Sequence, residues 1–379
     1  MNKLENKLIG LFEYLHCNPE LGFEEFAATA EICKALEQEG IEILPSGLET
    51  GLIARITGRN SGRCIGLRCD IDALPIQEET GIAYASHNPG KMHACGHDAH
   101  AAIMLGAAIL LNRNRDRLNG TVKIVFQPAE EVAGGAATVL NTRLLDDAEL
   151  FLGVHSYPAF SAGTLGIKKG PVMAAVDRFS IQIHGRGAHA AQPHKGIDPI
   201  AIQAAIVQSA QTIVSRSLNP FSPAVVSITH VESGNTWNVI PQEAYLEGTV
   251  RTLDPSARTQ TQEILGRMVQ SIAEAYGAQA ELNWYAGPPA VVNDERLCQT
   301  AEETALDLGF RVAQQEDTLG GEDFSLYHEG RPGLFVRVGT GGDYPAHHPK
   351  FTIDPQAIYP AAQFFSKLTE NLLKKGATI

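Results

Sequence analysis

Met92–His100, MHACGHDAH, is the densest run of chemistry-bearing side chains in the sequence. Cys95 and His97 stand two apart across Gly96, a residue that admits backbone turns closed to others. A thiolate and an imidazole at that spacing can close on one metal ion. The same run is also compatible with a polar turn before a buried helix, because Ala99–Leu111 is almost wholly apolar. More donor-type residues then recur where β-type runs end. Asp70 and Asp72 follow Cys64–Cys69, Glu130 and Glu131 follow Thr121–Phe126, His155 ends Leu150–Val154, and His347 lies in Pro345–Pro349.

Thiolate, imidazole and carboxylate donors suit Zn²⁺, and equally Mn²⁺, Co²⁺ or Ni²⁺. Cys95, His97, one glutamate of the pair, His155 and His347 outnumber the three protein ligands of a usual mononuclear catalytic zinc. They suit two ions sharing a bridging water, and such ions, about 3.5–4 Å apart, polarise a carbonyl and generate hydroxide at neutral pH. The remaining glutamate of Glu130 and Glu131 can carry the water's proton to a leaving nitrogen. Two aspartates at a buried strand end are costly unless paired or beside a cation. Two other classes compete. A cysteine hydrolase would use Cys95 as nucleophile and His97 as base, but residues two apart at a glycine turn rarely align so, and the glutamates would have no task. A scaffold with a structural metal would close its coordination and need no free base.

The elements that must position these residues follow from the pattern of the 379-residue chain. Residues 1–40 are expected as two helices broken at Pro19 and Gly22. Strands at Leu52–Thr57, Cys64–Cys69, Thr121–Phe126 and Leu150–Val154 alternate with the helix Ala99–Leu111, an α/β pattern in which sites form at strand ends. From Asp177 the rhythm changes. Strand Asp177–Gly185, helix Pro199–Ser217, strands Ala224–Val231 and Glu243–Thr252, helix Ala257–Tyr276 and strand Ala278–Tyr285 give β-α-β-β-α-β, the ferredoxin-like order. The α/β pattern then resumes with helix Asp294–Leu308, strand Leu334–Val338 and a closing helix near Pro355–Lys374. The fold class is therefore α/β, with a discontinuous domain of residues 1–175 and 288–379 and an inserted domain of residues 176–287.

The formal charge of −13, with no basic run, argues against nucleic acid or an anionic membrane as partner. No apolar run reaches the roughly 18–20 residues of a membrane span. The first residues lack a secretory pattern. The six scattered cysteines fit a reduced, cytoplasmic protein.

Taken together, MHACGHDAH, Gln127–Glu131 (QPAEE), the His155 strand end and His347–Phe351 (HHPKF) resemble the metal-dependent amidohydrolases. That group includes hippurate hydrolase, bacterial N-acyl-amino-acid hydrolases and plant auxin-conjugate hydrolases, within the wider aminoacylase and carboxypeptidase family. The resemblance runs nearly end to end, through HCNPELGFEE (His16–Glu25), LRCDIDALP (Leu67–Pro75), GRGAHAAQPHKGIDPI (Gly185–Ile200), NVIP (Asn238–Pro241), GTVRT (Gly248–Thr252) and GGEDF (Gly320–Phe324). It implies a mixed-sheet, metallopeptidase-like catalytic domain holding two divalent ions, and an inserted lid or dimerisation domain. It further implies Cys95, His97, Glu131, His155 and His347 as metal ligands, with His347 rather than His348 chosen by its His-x-Pro spacing. Glu130 matches the catalytic acid/base, and Asp70 and Asp72 match a strand end that backs the metals. His189, with His194 as runner-up, matches an oxyanion donor, while Asn238, Arg251 and Gly321 match substrate contacts. Implied in turn are a small N-acyl amino acid as substrate and a homodimer or homotetramer, with hinges near Val172–Val176 and Gly287–Ala290. Dipeptidase, carboxypeptidase or N-acetyl-diaminopimelate deacetylase activity is the alternative within the family.

Overall fold

The computed structural model describes residues 2–314 and 316–374, and its backbone divides into two units. One takes the chain up to Gly170, Val292–Glu316, and from Asp323 onward; the other takes Pro171–Val291 and Asp317–Glu322. The second unit is thus wider than residues 176–287, and a separate short stretch joins it. That stretch is bound locally: the Ala174 amide donates to the Gly320 carbonyl at 2.9 Å, and a Cβ on Gly321 would lie 2.3 Å from the Val176 side chain.

In the first unit an eight-stranded mixed sheet runs in the order 42–43, 52–57, 119–127, 60–70, 148–157, 333–339, 164–166, 311–313. Asn60–Asp70 pairs in parallel with both Asn119–Gln127 and Ala148–Tyr157, and Gly333–Gly339 pairs in parallel with the latter. Their carboxyl ends therefore share one edge. Register brings the candidates level there: Asp70 is opposite Gln127, and Arg68 is opposite Gly153, two residues before His155. The strand Ala148–Tyr157 runs past the expected end at Val154, so His155 lies within it.

Helix α1 (Lys3–Cys17) buries Leu4, Leu8, Leu11, Phe12 and Leu15 on one face, and a capping box between Asn2 and Glu5 starts it. Helix α2 (Phe26–Glu37) buries Ile32, Ala35 and Leu36. Helix α3 (His97–Arg113) begins two residues before the expected Ala99 and is buried nearly all round, as its apolar composition requires. It packs against α1, the closing helix Ile358–Lys374 and the sheet. Among the described residues no helix is long and apolar enough to cross a membrane. All six cysteines are free thiols.

The second unit has the strand order 224–233, 243–252, 175–184, 279–285, each neighbouring pair antiparallel. With helices Pro199–Thr212 and Pro255–Ala275 this is the β-α-β-β-α-β arrangement. Phe179, Ile181, Ile183, Leu246 and Val250 form the face that packs against Ile202, Ile206, Leu265 and Val269 of the helices. The first helix ends at Thr212, short of the expected Ser217, in a single wider turn over Ile213–Ser217.

One buried charge cluster locks α1 to α3. His16 donates from Nδ1 to Asp98 at 2.6 Å, and its Nε2 lies 3.4 Å from Glu78. Burial opposes the charge on His16, but Asp98 and Glu78 outweigh it and raise its pKa from 6.5 to about 9. Because the folded pKa exceeds the unfolded one, the contribution is full below pH 6.5 and fades as pH rises toward 9. Replacing His16 with Gln strands two buried carboxylates, a loss on the order of 3–5 kcal/mol. Thermal unfolding of wild type and His16→Gln should show the widest stability gap near pH 6 and a narrowing gap toward pH 9. A gap that does not change with pH would mean that His16 carries no proton-linked stability.

Candidate metal centre

The turn that holds Cys95 and His97 depends on Gly96. It has φ +85° and caps α3, and a Cβ there would lie 2.6 Å from the Ser156 hydroxyl. That hydroxyl donates to the Cys95 carbonyl at 2.8 Å, tying the turn to the strand that carries His155.

The imidazoles of His97 and His155 each have one nitrogen committed. His97 Nδ1 donates to the Asp72 carbonyl at 2.9 Å, with Asp72 Oδ1 3.2 Å away. In the neutral imidazole its Nε2 is thereby left as an acceptor. This atom and Glu131 Oε1 are buried without hydrogen-bond partners among the described residues, and lie 3.9 Å apart. His155 Nδ1 donates to the Ser156 carbonyl at 2.7 Å, and its Nε2 lies 3.5 Å from Cys95 Sγ. The Glu131 amide donates to Asp72 Oδ2 at 3.0 Å, and its Oε1 lies 3.4 Å from His347 Nε2. His347 has φ +67° and its amide donates to the Ala94 carbonyl at 2.7 Å. His348 is engaged elsewhere: it stacks on Tyr344 with ring centroids 4.4 Å apart and accepts from the Lys350 amide.

Two donor trios result, Cys95–His97–His155 and Cys95–Glu131–His347, each with its donor atoms within 4.8 Å of one another. They share the Cys95 sulfur. Glu130 joins His97 and Glu131 in a third such group. Two buried atoms facing each other beside a thiol and further imidazoles are a donor set that could hold a metal ion. Burial opposes a charge on His97, but Asp70 and Cys95 raise its pKa well above 6.5, so a metal ion would have to displace its proton. Burial pushes the Cys95 thiol up, so as a thiolate it needs a cation beside it. Burial, with the charge of His100, holds His155 down at about 3, in the neutral form that ligates. Burial works against ionisation of Glu131, but the neighbouring imidazoles of His347 and His97 lower its pKa.

Several contributors carry no signal of their own in the sequence. Asp70 Oδ1 accepts from His100 Nδ1 at 2.6 Å, and His100 Nε2 accepts from the Ser156 amide at 2.6 Å. Asp70 therefore backs His155 through His100, whereas Asp72 touches His97 and Glu131 directly. Arg68 donates to Asp70 and Asp323, at 2.8 and 2.7 Å, and to Gln127 at 2.8 Å, all buried. His100 follows His97 by three residues on α3, a spacing that puts both on one face. That was the one clue available.

The second unit holds the remaining candidates in two groups. His189 lies in a two-residue strand opposite Val239, and the Ala190 amide donates to the Asn238 carbonyl at 3.1 Å. Arg251 lies opposite Val176, and its guanidinium is 3.6 Å from where a Cβ on Gly321 would be. His194 lies in the short turn Pro193–Lys195.

A family model for peptidase family M20/M25/M40 matches residues 66–371. The chain belongs to this family. It is 47% identical over 369 residues to the N-acetylcysteine deacetylase of Bacillus subtilis (strain 168), with 97% of each chain covered. It is 40% identical over 294 residues to the N-acyl-L-amino acid amidohydrolase of Geobacillus stearothermophilus, covering 77% of this chain and 80% of that one. Its fold matches the crystal structure of a dinuclear metal-binding M20 peptidase from Bacillus subtilis with a TM-score of 0.90 at 45% identity, over 98% and 99% of the two chains. As an M20 member the chain is an amidohydrolase, breaking a C–N bond with water.

Gly96→Ala tests the turn. A side chain at φ +85° against the Ser156 hydroxyl must displace Cys95 or His97. The variant should fold with unchanged circular dichroism yet bind less metal by elemental analysis. Full metal content would mean that the turn tolerates a Cβ.

Proposed function

We propose that the chain hydrolyses the amide of an N-acyl-L-amino acid at two divalent ions held by Cys95, His97, Glu131, His155 and His347. The products are a carboxylic acid and a free amino acid. The observation that carries this reading is the pair of donor trios meeting at one sulfur, with Glu130 beside them. Two bound ions would polarise the scissile carbonyl and lower the pKa of a water toward neutrality. Glu130 takes the proton of that water and returns it to the leaving nitrogen. Asp72 and the Ser156 carbonyl hold the imidazoles of His97 and His155 in the ligating tautomer. Zinc, manganese, cobalt or nickel suits this donor set. The reducing cytoplasm suits a buried ligand thiol.

Arg251 pairs with the α-carboxylate, which a guanidinium holds bidentately, and Gly321 leaves room beside it. His189 and Asn238 serve the acyl carbonyl. These two groups lie toward opposite ends of one sheet. The Glu243 end, beyond which His189 and Asn238 lie, is eight residues of strand from Arg251, roughly 26 Å. One copy of the second unit therefore cannot bring both groups to one small substrate. This supports a homo-oligomer, dimer or tetramer, in which His189 and Asn238 serve a neighbouring subunit's metals. Short N-acyl groups come first because of the similarity to an N-acetylcysteine deacetylase. Dipeptide and N-acetyl-diaminopimelate hydrolysis are the alternatives.

Exhaustive chelation should abolish turnover of a panel of N-acetyl and N-benzoyl amino acids, and metal add-back should restore it. Full activity without metal overturns the proposal. Glu130→Gln should keep its metal and lose roughly 10²–10⁴ in rate, whereas Glu131→Gln should lose metal. The reverse pattern exchanges their roles.

For the subunit arrangement, His189→Ala should keep metal and lose about 10²–10³ in rate. Mixing and reassembling it with Glu130→Gln should recover activity, because one hybrid site then has both residues. Absence of recovery in proven hetero-oligomers places His189 on its own subunit's substrate.

A further inference from the structure

The segment His16–Glu25 is singled out by the sequence but given no task by the metal centre. It ends on a buried acid: Glu25 is 0% exposed. Glu25 directly precedes α2 yet makes no side-chain capping bond to it. Glu20 performs that task, accepting from the Ala27 and Ala28 amides at 3.1 and 2.9 Å. The Glu25 carboxylate instead reaches 104 positions along the chain, where the Ala129 amide donates to Oε1 at 2.7 Å. The Thr50 hydroxyl bonds to it, and the Asp72 carboxylate is close enough to act on its charge.

Ala129 is the residue before Glu130 and has φ +53°, a left-handed conformation that alanine disfavours. Its carbonyl accepts from the Gly134 and Gly135 amides at 3.3 and 3.1 Å. The residue after Glu130 is held in the same way, the Glu131 amide donating to Asp72 Oδ2 at 3.0 Å. Two buried carboxylates, Glu25 just before α2 and Asp72 two residues past strand Asn60–Asp70, thus grip the amides on either side of Glu130. The backbone around Gly22 presses on the same loop: a Cβ at Gly22 would lie 3.2 Å from the Ala129 Cα. A space-filling role would be better met by an apolar side chain, since an isolated buried carboxylate is costly.

We infer that Glu25 is the positioning residue of Glu130, its carboxylate holding the left-handed turn at Ala129 that aims the acid/base. This inference rests on the proposed role of Glu130. It makes reach the requirement, not charge. Glu25→Gln keeps an acceptor at the same distance, and Glu25→Asp withdraws it by one methylene.

The test compares turnover, KM, metal content and thermal unfolding for wild type, Glu25→Asp, Glu25→Gln, Glu130→Gln and the double variant Glu25→Asp/Glu130→Gln. Displacing a catalytic group by about 1 Å costs on the order of 10² in rate. Glu25→Asp should therefore lose about 10–100-fold in kcat, with KM within about twofold and metal content unchanged, while Glu25→Gln loses less than about threefold. In the Glu130→Gln background Glu25→Asp should cost nothing further, because the group it aims is already gone. A structural acid would instead add the same loss in both backgrounds, and that result overturns the inference. So does wild-type kcat in Glu25→Asp, loss of metal with loss of rate, or a Glu25→Gln more damaged than Glu25→Asp. If Glu130→Gln itself keeps full rate, the acid/base reading fails independently of Glu25.

Discussion

The candidate metal centre depends on one guanidinium that never meets solvent. Arg68 is 0% exposed, and its nitrogens donate to Gln127, Asp70 and Asp323. Removing one partner of such a buried charge costs roughly 3–5 kcal/mol, so these groups hold one another in place. Arg68 and Asp70 belong to one strand, Gln127 to its neighbour, and Asp323 to the turn Asp323–His328. The arginine therefore sets the level of the strand ends. Asp70 passes that order to His100, and His100 to the Ser156 amide beside His155. Burial works against ionisation of Asp70, but His97 and Arg68 hold it well below the usual carboxylate range.

Local pattern was enough for most of the architecture. The change of rhythm at Asp177 and the alternation in Glu243–Thr252 showed the second unit, because the period of two records which face of a strand is buried. The side chains that the structure gathers into candidate metal-holding groups were legible because thiol, imidazole and carboxylate residues stand where apolar runs end. Long-range choices were not legible. Nothing local pairs Arg68 with Asp323 across 255 positions, or Glu25 with Ala129 across 104. The stretch Asp317–Glu322 was hidden for the same reason. Its hydrogen bond to Ala174 is a tertiary fact, while its composition resembles an ordinary loop. His347 and His348 differ only once the left-handed backbone at 347 and the Tyr344 stack separate them.

The order of the donors along the chain has a consequence for biosynthesis. Of the proposed ligands, Cys95, His97, Glu131 and His155 are synthesised before the second unit, and His347 only after all of it. A nascent chain emerging from the ribosome can fold Pro171–Val291 as a loop closed at its base, but until residue 347 is made one donor trio stays a pair. Closure of that long loop carries an entropic cost that grows only slowly with its length, so the insertion is compatible with folding. With the proposed ligands, full affinity for metal would arrive late, and a chain that stops early would lack the last donor. Metal loading would then mark completed synthesis, separating finished molecules from truncated ones by retention of the ions.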